Sequence, residues 1–153
     1  MSVLKELKGA SFMAVREEAL AEYRILNVRI PPIINYEQDV EWICRSLGFL
    51  EARDKKKTAA KIFKFLLEAA SRQSGYSSNE LAEKVGLTRG TVVHHLNKMM
   101  KCGLVIYHEG MYKLRGRSLK GTLGEIERDI SRVFENLYKV ASTIDETLGL
   151  SNR

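Results

Sequence analysis

Cysteine, proline and tryptophan are scarce in this chain: two, two and one among 153 residues. Two thiols, Cys44 and Cys102, cannot build a disulfide framework, and each sits in an apolar helical pattern where free cysteine packs as a small hydrophobe. No C-x-C, C-x-x-C or H-E-x-x-H spacing occurs, so no metal centre is expected, and the three histidines, His94, His95 and His108, have no metal-ligand pattern. A Walker loop, a dinucleotide glycine fingerprint and a G-x-S-x-G nucleophile turn are also missing, so the sequence reads as that of a non-enzyme without cofactor. No run reaches the roughly 18 apolar residues of a membrane span, and Met1 to Ala10 lacks the apolar core of a signal peptide. A cytoplasmic protein with no membrane partner is expected. With 44% hydrophobic and 29% charged residues and no low-complexity tract, the chain has the makings of one packed domain with extensions.

The net charge of +6 is unevenly spread. Residues 84–120 carry eight basic side chains against Glu109 alone, whereas residues 1–52 and 121–153 are each slightly acidic. A nearly unopposed basic block in an otherwise balanced chain suits a surface that faces phosphate; a merely solvated basic face would look similar.

Helix signals divide the chain. Phe12, Val15, Ala19, Tyr23 and Leu26 recur at helical spacing over residues 12–28, a helix that must stop before Pro31 and Pro32. Asn35 with Gln38 opens a second helix to about Leu47, with Val40 and Ile43 on one face and Gly48 as a left-handed stop. A third, from about Lys56 to Ser71, sets Ala59, Ile62, Phe63, Leu66, Leu67 and Ala70 on one stripe and Lys57, Lys61 and Lys64 on another. Ser77 with Glu80 forms a capping box for a short helix through Val85 that Gly86 closes. Leu87 and Thr88 then link directly to a helix from Arg89 to Cys102, with Thr88 as N-cap and Gly103 as stop.

After Gly103 the period shortens. Leu104 to His108 and Met111 to Arg115 read as strands of a hairpin around Glu109-Gly110. Thr122 with Glu125 then suggests a cap for a helix of about 26 residues ending at Leu148. Along it Leu123, Ile126, Ile130, Val133, Leu137, Val140 and Ile144 step by alternating threes and fours, a heptad seam best buried against a second copy; folding back on its own domain is the competing reading.

The stretch from Ser77 to Leu114, SSNELAEKVGLTRGTVVHHLNKMMKCGLVIYHEGMYKL, resembles the winged helix-turn-helix of ArsR-like transcriptional regulators. A capped E-L-A helix, a G-L-T turn, a T-V-x-H-H-L recognition helix, G-L-V and a wing follow in that order. The resemblance implies a mainly α fold with a two-stranded wing and binding to double-stranded DNA. Packing physics agrees: Leu81 and Val85 meet Val92, Leu96 and Met99 only if two helices cross steeply through a short turn, leaving the second helix's other face outward. That face carries Arg89, Gly90, Val93, His94, Asn97, Lys98 and Lys101. Arg89 suits a bidentate bond to guanine, Thr88 and Thr91 suit phosphate at a helix N-terminus, and the later basic residues suit the backbone. Gly90 admits close approach. Tyr107, His108, Met111 and Lys113 lie near the hairpin tip, followed by Arg115 and Arg117. His95, beside the core position Leu96, reads as packed.

The expected organisation is an N-terminal helical extension over 1–52, a winged helix-turn-helix over 53–117 and a dimerisation helix over 118–153. The expected function is sequence-specific DNA binding as a homodimeric transcriptional regulator, with residues 89–102 in the major groove and 104–115 on flanking DNA. A sequence-neutral architectural DNA-binding protein and a winged helix used for protein interaction stand as alternatives. No effector is identified; Phe12, Tyr23, Tyr36, Trp42 and Phe49 make the first 52 residues the place to seek one, unless these aromatics extend the dimer core.

Overall fold

The computed structural model describes residues 19–32 and 35–150. In chain order these give α1 (Tyr36–Ser46), α2 (Thr58–Ser71), α3 (Ser78–Val85), α4 (Arg89–Lys101), β1 (Val105–His108), β2 (Met111–Leu114) and α5 (Leu119–Leu148). This is a winged helix-turn-helix with an N-terminal helical addition and a long C-terminal helix.

The local signals set most of the boundaries. Asn35 accepts hydrogen bonds from the amides of Glu37 and Gln38, Ser77 from Glu80 and Thr88 from Thr91, so each side chain satisfies a donor that the first helical turn leaves open. Gly86 (φ 69°) supplies the left-handed residue that ends α3 and lets α4 begin almost at once. In the hairpin, Glu109 (φ 51°) and Gly110 (φ 80°) are both left-handed, as the two central residues of a type I′ turn must be. The strands pair antiparallel, with Tyr107 opposite Tyr112 and Val105 opposite Leu114.

A single core joins every element. Ile62, Phe63 and Leu66 of α2 are fully buried with Leu81, Val92, Leu96, Met99 and Leu104, and the cluster extends to Val105 and Leu114 of the wing and to Ile126 of α5. Val40 and Cys44 of α1 and Phe49 beyond it belong to the same cluster. Each aliphatic side chain of this set stabilises the fold by about 1.5–3 kcal/mol through removal from water. Burial pushes the Cys44 thiol up to about 12 and the Cys102 thiol to about 11, which keeps both protonated and unreactive at neutral pH. The lysine stripe of α2 is only partly solvated. Lys57 bonds Glu41 at 2.9 Å and Lys64 bonds Glu37, so acids of α1 engage two of the three lysines while Lys61 stays exposed.

Three expectations change. Phe12 and Val15 lie outside the described residues, but from Ala19 to Arg29 the chain has no regular secondary structure where the spacing predicts a helix. It forms a strap held by long-range bonds: Glu22 N to Lys101 O, Leu26 N to Ser46 O, and the Trp42 indole donating to the carbonyls of Val28 and Arg29. Outside partners satisfy these backbone groups, so helical spacing alone misled. Second, Ser118, not Thr122, caps α5 by accepting from Gly121 N; the helix starts one turn early. Thr122 is instead fully buried, accepting from Gly116 N and donating to Ser118 O. Third, the heptad seam divides. Leu123, Ile126 and Ile130 pack on the domain itself, while Val133, Leu137, Val140 and Ile144 are 44–61% exposed.

Candidate nucleic-acid interface

The candidate interface is built on α4. Val92, Leu96 and Met99 are wholly buried in the common core, where α4 packs on α3 and β1, which fixes the rotation of the helix about its axis. Arg89, Gly90, Thr91, His94, Asn97, Lys98 and Lys101 are consequently exposed, and Val93 and His95 lie half-buried at the margins. A Cβ added at Gly90 would meet nothing within 4 Å, so the first turn presents bare backbone.

Neighbours tie several of these residues. Arg89 Nε donates to Ser78 Oγ at 2.9 Å, orienting the guanidinium from the root of α3. The Thr88 and Thr91 hydroxyls bond each other at 2.8 Å. Lys98 Nζ lies 3.9 Å from Glu51, and the Lys101 carbonyl accepts from Glu22 N of the strap. Burial lowers the pKa of His95, an effect that Asp54 partly opposes, so its ring is held neutral among its neighbours.

In the wing, Tyr107 and His108 are exposed, Met111 and Lys113 are half-buried, and the Tyr107 and Tyr112 rings pack at 4.7 Å. His108 lies 3.6 Å from Glu109. Arg117 is exposed, but Arg115 turns inward, bonding Glu125 at 2.8 Å and Asp129 at 2.6 Å on α5. That pair raises the Arg115 pKa and holds the Asp129 carboxyl below the usual carboxylate range. The wing is also fastened at its back, where Tyr76 and Tyr112 exchange backbone hydrogen bonds at 3.0 and 2.7 Å. Gly75 makes this possible, because a Cβ there would stand 2.4 Å from the Tyr112 carbonyl oxygen.

Residues 56–107 match the family model described as bacterial regulatory protein, arsR family. This segment is similar to the helix-turn-helix of that family. The match spans α2, the helix-turn-helix and the first wing strand, and leaves the strap, α1, β2 and α5 outside. No curated protein and no solved structure matches the chain. The match covers about a third of the chain, and what it shows is the likeness of this segment to that family of bacterial regulatory proteins. Among the described residues no group of three or more histidine, cysteine, aspartate or glutamate side chains is placed to hold a metal ion, and no helix is long and apolar enough to cross a membrane.

Reasoning from sequence missed two partners of the basic face: Ser78, which holds Arg89, and Glu51, which approaches Lys98. Ser78 had a readable signal, since it follows the capping Ser77 at the start of the helix packed on α4. Glu51 had none, because only the folded path of the chain brings it to α4.

Proposed function

We propose that the chain is a homodimeric transcriptional regulator that binds double-stranded DNA sequence-specifically, with α4 in the major groove and the wing on flanking DNA. The observation that carries this reading is the division of α4 into a fully buried face and an exposed one that bears Arg89, His94, Asn97, Lys98 and Lys101 beside the bare backbone of Gly90. An α-helix fits the major groove with its N-terminal residues at the base edges. Arg89, steadied by Ser78, reads guanine; Thr88 and Thr91 bond phosphate at the helix N-terminus; Lys98 and Lys101 neutralise backbone charge; Tyr107, His108 and Lys113 approach the flanking duplex. The exposed apolar half of α5 supports pairing with a second copy, since its four seam positions, Val133, Leu137, Val140 and Ile144, keep heptad spacing and suit a helix-to-helix interface. A two-fold protein then calls for a pseudo-palindromic site with half-sites about one helical turn, ~34 Å, or a multiple of it apart.

Selection of sites from random DNA at moderate salt, followed by fluorescence anisotropy on the selected duplex, tests this. Arg89→Ala is expected to cost about 1–3 kcal/mol on the selected site and to relax base choice there; Lys101→Ala weakens all sequences alike and reduces the salt slope by about one. Affinity indifferent to both substitutions would remove α4 from the interface. A specificity ratio near unity against random DNA would assign the protein to architectural binding instead.

A further inference from the structure

A cavity of about 580 Å³ lies between the strap, the segment after α1 and the C-terminal half of α4. That volume is in the range of small-molecule sites, about 300–1,000 Å³. Its floor is apolar, made by Leu47, Phe49 and Met100, and its rim is cationic, made by Arg24, Lys98 and Lys101. Glu22 is the acidic side chain in the lining.

Among the described residues the cations on the rim are incompletely engaged. Glu51 Oε1 stands 3.7 Å from Arg24 Nη1 and 3.9 Å from Lys98 Nζ, at the outer limit of ion pairing. Its other oxygen is drawn away by Arg53, which bonds it at 2.8 Å. Arg24 and Lys98 therefore converge on a carboxylate that they hold only loosely, and a second carboxylate at the rim has two charge-assisted donors to claim. The placement of Arg24 is built into the fold: Gly48 has φ +76°, and a Cβ there would come within 2.7 Å of Arg24 Cβ, so only glycine lets the strap lie this close.

We propose that this cavity binds a small amphipathic anion, an acyl or aryl carboxylate whose apolar body rests on Leu47, Phe49 and Met100 and whose head is held by Arg24 and Lys98. A second consequence rests on the interface reading above. Lys98 and Lys101 serve both the cavity and the duplex, so an occupied cavity weakens DNA binding.

Isothermal titration calorimetry on the full chain, with octanoate as probe and octanol as its uncharged counterpart, tests the site. Saturable binding at one site per chain is expected, with octanol at least tenfold weaker. Arg24→Ala and Lys98→Ala should each weaken octanoate about tenfold, Arg24→Lys should recover most of that loss, and Lys61→Ala on the far side of α2 should leave binding unchanged. Absence of saturable binding, equal affinity for octanol, or octanoate affinity unaffected by both alanine substitutions would overturn the site. Calorimetry needs no DNA, so the two readings fail separately. Binding of octanoate without loss of affinity for the selected duplex would overturn the coupling alone, and a ligand-free protein that binds no DNA would overturn the interface.

Discussion

The two halves of α5 carry one continuous heptad pattern and meet opposite fates. Up to Ile130 the seam is part of the domain, with Ile126 only 3% exposed; beyond it Val133, Leu137, Val140 and Ile144 stand in solvent, flanked by Phe134 and Tyr138. Period therefore tells which face of a helix is apolar, not what covers it. Here the winged domain covers the first half. The second half presents an apolar stripe that nothing within the described residues of the single chain covers.

The sharpest way to break the contrast is to shorten a side chain in the buried half. Ile126→Ala is expected to cost about 2–5 kcal/mol in urea unfolding, at any protein concentration, because it opens a cavity in the core. The matching change in the exposed half, Leu137→Asp with Ile144→Asp, should leave the fold's circular dichroism unchanged and shift sedimentation from dimer to monomer. An unaltered sedimentation coefficient would take the second half out of the interface.

A smaller effect comes from the root of the helix, where Arg115 joins the wing to Asp129. Asp129→Asn is expected to cost about 1 kcal/mol, since the pair is partly solvated. The Asp129 pKa is depressed by its bond to Arg115. The contribution is thus fully present above the ordinary carboxylate pKa of about 3.9 and is lost as the pH falls through the lowered folded value. The Asn variant should show a shallower acid limb in denaturation followed against pH.

The smallest effect is that of His95. Its lowered pKa means that the unfolded chain takes up a proton first, so stability falls as pH drops below about 6.5 towards the folded value and levels off beneath it. His95→Gln should flatten that segment of the stability curve, and the ring's own titration by NMR should lie below the ordinary histidine value.

What could be read from the sequence was what neighbours along the chain decide. Asn35, Ser77 and Thr88 cap their helices, Gly86 ends α3, and Glu109-Gly110 turns the wing, because each of these acts within four residues. The buried set Val92, Leu96 and Met99 followed from period and turn length, and with it the outward face of α4. Distant partners were not legible. The strap is not helical because Ser46, Lys101 and Trp42 supply its bonds, and the same tertiary path puts Glu51 against Lys98 and commits Arg115 to α5. Thr122 shows the limit within a local signal: two hydroxyls stand four residues apart, and burial of the second beneath Gly116 gives the capping role to Ser118.

The stitch between Tyr76 and Tyr112 bears on how the molecule adjusts to a duplex. Because Gly75 brings the turn after α2 into backbone register with β2, the hairpin cannot swing like a flap while the helix-turn-helix stays still. Any tilt of its tip must carry α2 along with it, so, on the DNA-binding reading proposed above, curvature in the target would be met by rotating a stiff wedge.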